Sequence, residues 1–295
     1  MERERDQSMG LVFSVAAITP ILLHVLVFRR GKELLISGGV VRSNFAGRII
    51  PTAGGVFFVL YYITAVGLAV SVASLGHFAE VPLKQFSLLI SGIVIMALFG
   101  WLDDRSADKE AKGFRGHLAV LWQEGRMTSG LWKAWGGGAV AMLVALPLSE
   151  NLIEWLIHTG ILALSTNLLN LFDLRPARAM KVFWFFLFLS VASAWHVGIV
   201  YLWIVPGLMA TLLLLGPEGR QQIMLGDTGA NSLGFLTGFL LISTQSMTAK
   251  ICLLCLMILL HILAEFISFS RVIQSVGFLR RIDQWGRQNL PQNDG

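Results

Sequence analysis

Polar residues are sparse in this chain and gather in short clusters between long apolar runs. Nine such runs stand out, at 11–28, 53–75, 86–102, 130–148, 152–171, 182–195, 197–215, 232–246 and 251–270. Most approach the ~20 residues that carry an α-helix across a bilayer. The sixth and eighth are short, and only His196 separates the sixth from the seventh. Gly216-Pro217-Glu218-Gly219 reads as a turn. No repeat, low-complexity stretch or soluble segment breaks the pattern. It predicts one all-α polytopic membrane bundle over residues 1–295, with about nine transmembrane helices.

Composition agrees. The chain is 55% hydrophobic and 14% charged, against about 25% charged residues in soluble domains. Runs of this number are not explained by a cleaved signal peptide. The net charge of +5 reads as topology and anionic-lipid contact, with no nucleic-acid partner implied. With the N-terminus outside, 19 of the 23 Lys and Arg residues fall inside and only Arg3, Arg5, Lys84 and Lys250 outside. This predicts N-out, C-in, with every polar motif on the cytoplasmic face. Cys252 and Cys255 lie within an apolar run and lack a second ligand pair, so they read as packing residues on a buried helix.

Four polar clusters carry candidate chemistry. Pro51-Thr52-Ala53-Gly54-Gly55 reads as a helix start with close-packing glycines, preceded by basic residues including Arg42 and Arg48. Asp103-Asp104 places two carboxylates where the third run leaves the membrane. They repel each other unless a cation or shared proton compensates, and their hard oxygens suit Mg²⁺. The loop beyond contains Lys112, Arg115 and His117, groups suited to phosphate; Arg115 and His117 are expected to contact a nucleotide or its diphosphate. Asn167, Asn170 and Asp173 recur at i, i+3 and i+6, which predicts a polar stripe at the end of an apolar helix. Gly226-Asp227-Thr228-Gly229 before a helix offers backbone N–H groups and a carboxylate together, a setting for Mg²⁺ and phosphate.

The ordered set, Pro-Thr-x-Gly-Gly, Asp-Asp, Asn-x-x-Asn-x-x-Asp and Gly-Asp-x-Gly, resembles one family over roughly residues 42 to 268. It is the polyprenyl-phosphate N-acetylhexosamine-1-phosphate transferases, which include the phospho-MurNAc-pentapeptide translocase and undecaprenyl-phosphate GlcNAc-1-phosphate transferases. The resemblance implies transfer of an amino-sugar-1-phosphate from a UDP-sugar to undecaprenyl phosphate, with release of UMP, for cell-envelope glycan synthesis. It places the protein in the lipid bilayer of the bacterial inner membrane and leaves room for a homodimer. It implies Mg²⁺ at Asp227, with Asp103 and Asp104 on metal or phosphate and in catalysis. It implies substrate contacts at Asn167, Asn170 and Asp173, with Arg48 beside the first motif.

The sequence also departs from the family. The third motif continues Leu174-Arg175-Pro176-Ala177-Arg178, so the second aspartate is Pro176 and both glycines are lost. Ala107 stands where a lysine often follows the paired aspartates, and Pro217 where an Asn often precedes Gly-Asp by ten. The histidine-rich loop and a tenth helix are missing, and His261, one turn before Glu265, is the candidate stand-in. A donor other than the peptidoglycan precursor follows from these changes. A catalytically degenerate homologue that binds lipid phosphate or a membrane partner is the alternative. A CDP-alcohol phosphotransferase is rejected, since no aspartates follow in residues 188–203. A transporter fits poorly with polar residues gathered at one face.

Overall fold

Each of the nine apolar runs is helical in the computed structural model, which describes residues 2–76, 81–105, 129–195 and 198–288. The chain runs α1 (Glu2–Ser37), a hairpin of β1 (Val41–Ser43) and β2 (Ile49–Pro51), then α2 (Gly55–Leu75) and α3 (Leu83–Arg105). There follow α4 (Ser129–Ala145), α5 (Leu152–Phe172), α6 (Arg178–Ala194), α7 (Tyr201–Gly219), α8 (Gly226–Thr244) and α9 (Met247–Ala264). Two short helices close the described chain, α10 (Phe269–Ser275) and α11 (Gly277–Gln284). Six helices, α1, α2, α3, α5, α7 and α9, are long and apolar enough to cross a membrane. Among the described residues the protein is therefore a helical membrane bundle with one antiparallel hairpin, which pairs Val41 with Pro51 and Ser43 with Ile49.

The bundle is built around α8. Every residue from Thr228 to Ile242 is buried, against α2, α3, α5 and α6. Small residues permit this, as they do wherever membrane helices pack backbone to backbone. A Cβ at Gly234 would strike the α5 backbone at Thr166, and one at Gly92 would strike the ring of Phe235. The hydroxyls of Ser232 and Thr237 donate to the carbonyls of Thr228 (2.7 Å) and Leu233 (2.8 Å). Their burial is thus compensated within the helix. By contrast α9 turns outward, with only Lys250 and Met257 buried. Cys252 and Cys255 are exposed free thiols on it, and not the packed residues their spacing suggested.

Three local expectations are corrected. Pro51 does not open a helix. It ends β2, and Ala53, at φ +58°, turns the chain before α2 begins. The 216–219 segment is not a turn but the last turn of α7, which carries Pro206 and Pro217 within it; the chain turns at Gln221, at φ +56°. The Gly-Asp-Thr-Gly segment does not precede α8 but forms its first turn, so the helix starts at Gly226 and is not short. In each case a polar or helix-breaking residue marks a buried helix end, where neighbouring groups satisfy the backbone that water would otherwise solvate.

Candidate active site

The four motif segments meet at one end of the bundle. The N–H groups of Gly54 and Gly55 donate to the carbonyls of Met224 and Leu225, and the Met224 N–H donates to the Pro51 carbonyl, all at 2.8 Å. These bonds stitch the first motif to the fourth. Gly55 lies against Gly229, and Gly100 lies against the backbone of Asp227 and Thr228 so closely that neither site admits a Cβ. Asp104 is one turn beyond Gly100 on the same face of α3. It therefore reaches the start of α8.

That position determines what Asp104 does. Its Oδ1 accepts from the Asp227 N–H (3.1 Å) and the Thr52 hydroxyl (3.1 Å). Its Oδ2 accepts from the Thr228 N–H (2.9 Å) and hydroxyl (2.7 Å). A carboxylate offers about four acceptor sites, and protein donors take all four. Asp104 thus caps the N-terminus of α8, where negative charge is favoured. Gly226, at φ +68°, leaves room for it, since a Cβ there would lie 2.7 Å from both Asp104 oxygens.

Beside the cap is a cavity of about 200 Å³ whose walls include Arg42, Thr52, Asp104, Asp173, Arg175, Pro176, Glu218 and Asp227. Burial, then the charges of Glu218, Asp227 and Asp104, push the Asp173 carboxyl well above the ordinary carboxylate range, against the pull of the Gly226 N–H. Glu218 is buried. Its Oε1 accepts from the Leu225 N–H (3.2 Å), while Oε2 is buried and makes no hydrogen bond among the described residues. The sequence hid Glu218 inside an apparent turn; its one signal was a carboxylate nine residues before Asp227.

The remaining candidates fall elsewhere. The Asp103 carbonyl accepts from Arg42 Nη2 (2.6 Å), and Asp103 does not line the cavity. Arg48 is exposed on β2's approach, whereas Arg42 on β1 faces the cavity. Asn167 is exposed and Asn170 half-buried, neither in the cavity wall. A step of three residues rotates about 60° around a helix, so the stripe drifts and only Asp173, past the end of α5, arrives. His261 bonds the Met257 carbonyl within α9 (2.7 Å) and is also outside the wall. Arg115 and His117 lie outside the described residues.

The altered third motif has a structural partner. Arg178 is buried at the start of α6 and grips Asp283 through Nε (2.7 Å) and Nη2 (3.1 Å), with Nη1 on the Ser270 hydroxyl (2.8 Å). Arg287 bonds Asp283 (2.6 Å) and the Pro176 carbonyl (2.9 Å). Pro176 is thus tied to the C-terminal segment. Burial raises the Asp283 pKa, but the Arg178 hydrogen bond and the charges of Arg287 and Arg178 outweigh it and hold the carboxyl below its ordinary 3.8. Just below that value the folded chain binds fewer protons than the unfolded chain. The clamp's stabilisation is therefore present above 3.8 and lost as pH falls through the lowered value. Amide protection over residues 277–288, corrected for intrinsic exchange, is expected to hold down to about pH 4 and to fall below it. Protection maintained roughly two units lower would show that this ion pair does not hold the segment.

A larger cavity of about 480 Å³ lies at the opposite end, lined by Gln85, Glu154, His158 and Lys250. Lys250 Nζ is 2.8 Å from His158 Nε2. No motif residue reaches it. Compared with protein-family models and with curated proteins, the chain matches none.

Proposed function

We propose that this protein is a Mg²⁺-dependent phosphoglycosyl transferase. It passes a sugar-1-phosphate, of an N-acetylated amino sugar, from a UDP-sugar to undecaprenyl phosphate at the cytoplasmic ends of nine spanning helices in a bacterial inner membrane. The observation that carries the reading is convergence: Thr52, Asp104, Asp173 and Asp227, one from each ordered motif, line one cavity with Arg42 and Arg175.

The residues fit the ion in a restricted way. Among the described residues no three His, Cys, Asp or Glu side chains form a protein cage for a metal. Mg²⁺ needs none, since it is commonly held by one or two carboxylates, water and substrate phosphate. Asp227 and Asp173 are the carboxylates that would hold it, with Glu218 Oε2 as the open buried oxygen beside them. Asp104, with its acceptor sites filled, serves as the scaffold instead. When bound, the ion supplies charge neutralisation to the donor's diphosphate. Arg42 and Arg175 add fixed positive charge for phosphate oxygens. An oxygen of the lipid phosphate bonds to the sugar-bearing phosphorus as the donor's P–O–P bond breaks and UMP leaves. The protein's task is alignment and charge balance.

Incubating the purified protein with undecaprenyl phosphate, Mg²⁺ and a panel of UDP-sugars is expected to release UMP with at least one donor. No release with any donor, alongside demonstrated lipid-phosphate binding, supports a second reading, a binder without turnover. That reading rests on Pro176, whose carbonyl is committed to Arg287. The orientation has its own test. Reporter fusions after Ser149 and after Gly295, the latter outside the described residues, are expected to report opposite sides of the membrane. Two reports from one side would contradict the proposed span count.

A further inference from the structure

The C-terminal segment combines a buried grip on the site with an outer face that is left exposed among the described residues. On α11, Phe278 and Ile282 recur one turn apart, and Trp285 follows at the next step on the same stripe. They are 72%, 43% and 59% exposed. Arg280 and Arg281 are exposed, and neither forms an ion pair among the described residues. Only Asp283 of this helix is buried. An apolar stripe with unpaired arginines on a short helix suits the boundary of an anionic leaflet, where aromatic rings sit at headgroup level. Twelve residues, α10 among them, link α11 to the end of α9, a helix long and apolar enough to cross the membrane, which keeps α11 near that helix end.

The inner side of the same segment touches the cavity wall. Beyond the Arg178–Asp283 and Arg287–Pro176 bonds, the Gln288 N–H donates to the Gly219 carbonyl (3.1 Å), next to Glu218. Lys181 Nζ donates to the carbonyls of Asp283 (2.8 Å) and Trp285 (2.6 Å). Gly286 is packed so closely on Gly219 that no Cβ fits between them.

We propose that α11 is a lipid-surface element: Phe278, Ile282 and Trp285 enter the leaflet, Arg281, which flanks their stripe, takes anionic phospholipid headgroups, and this contact holds residues 283–288 against Pro176 and Gly219. The anionic surface thereby orders one wall of the acidic cavity. This inference is independent of the reaction proposed above.

The test uses the full chain with Cys252→Ser and Cys255→Ser, reconstituted in nanodiscs of phosphatidylcholine alone or with one-third phosphatidylglycerol. An environment-sensitive fluorophore is placed at Phe278→Cys and, as the solvent-side reference, at Gln284→Cys. The label at 278 is expected to be blue-shifted and quenched by nitroxide-bearing lipids, more strongly with phosphatidylglycerol, while the label at 284 stays solvent-like. Arg281→Gln is expected to lower the ratio of lipid-quenched to exposed label about fivefold in the anionic discs, the scale of one basic residue at such a surface, and Arg280→Gln, on the Gln284 side of the helix, to change it little. The amides of Leu174, Arg175 and Ala177 are expected to exchange more slowly in anionic discs, and Arg281→Gln to lose that difference. Solvent-like emission at 278 in both lipids overturns the membrane contact. Emission indifferent to phosphatidylglycerol overturns the headgroup assignment, and unchanged exchange at Leu174, Arg175 and Ala177 overturns the coupling.

Discussion

Asp227→Asn is expected to abolish Mg²⁺-dependent UMP release, by at least ~100-fold on the scale of one lost electrostatic catalytic group, and to leave the protein folded. The structure separates the two consequences. Asp227 contributes to the scaffold through its main chain, whose N–H donates to Asp104 Oδ1, and the substitution keeps that bond. To the cavity it gives negative charge beside Asp173, and the substitution removes that charge. The proposed ion then loses a hard ligand while size and hydrogen-bonding shape are kept. Full turnover in Asp227→Asn, measured with the donor that the wild type accepts, would remove Asp227 from the reaction. A monodisperse variant with unchanged melting and no UMP release is the expected pattern.

Asp104→Ala is expected to do the reverse, failing first in stability. The alanine leaves four donors without their acceptor: two N–H groups of the first turn of α8 and the hydroxyls of Thr52 and Thr228. Each buried donor left unpaired costs about 1–3 kcal/mol, and less where it finds another acceptor. Loss of the anion at the helix N-terminus adds up to about 2 kcal/mol. A fall in melting temperature on the order of 10 °C in detergent follows. Asp104→Asn keeps one acceptor oxygen and is expected to lie between the two. If Asp104→Ala melted like the wild type but lost activity, Asp104 would be a reacting group and not the cap.

Much of this arrangement was legible from the residues, and the exceptions have physical causes. Lipid forces backbone hydrogen bonds into helices, so the apolar runs were legible as helices, six of them long and apolar enough to cross a membrane. The motifs met because each stands at a helix end on one predicted side. What hydropathy does not encode is which acid ends up with its acceptor sites filled. Asp103 and Asp104 are adjacent and alike in sequence. Only the close approach of Gly100 to Asp227 and Thr228 distinguishes them. Glu218 was hidden because Gly216, Pro217 and Gly219 mark turns in water yet sit here in a helix end sealed by neighbours. The Arg178–Asp283 clamp joins residues 105 positions apart, a pairing with no local signature. Arg42 and Arg48 looked equivalent until the hairpin set Arg42, on β1, in the cavity wall and left Arg48, in the turn before β2, outside it.

The burial of α8 also bears on how the protein is made. This helix carries Asp227, Asn231, Ser232 and four glycines, and is not among those apolar enough to cross a membrane by composition. Alone in lipid, such a segment is costly, because its polar groups have few partners there. Its packing partners α2, α3, α5 and α6 all precede it in the chain. During synthesis α8 therefore emerges after the helices that wall its slot, and it inserts against protein and not against lipid. Asp104 waits at the end of that slot for the first N–H groups to arrive. No intermediate that lacks α8 carries a complete acidic cavity, so the cavity is assembled only when membrane integration is nearly finished.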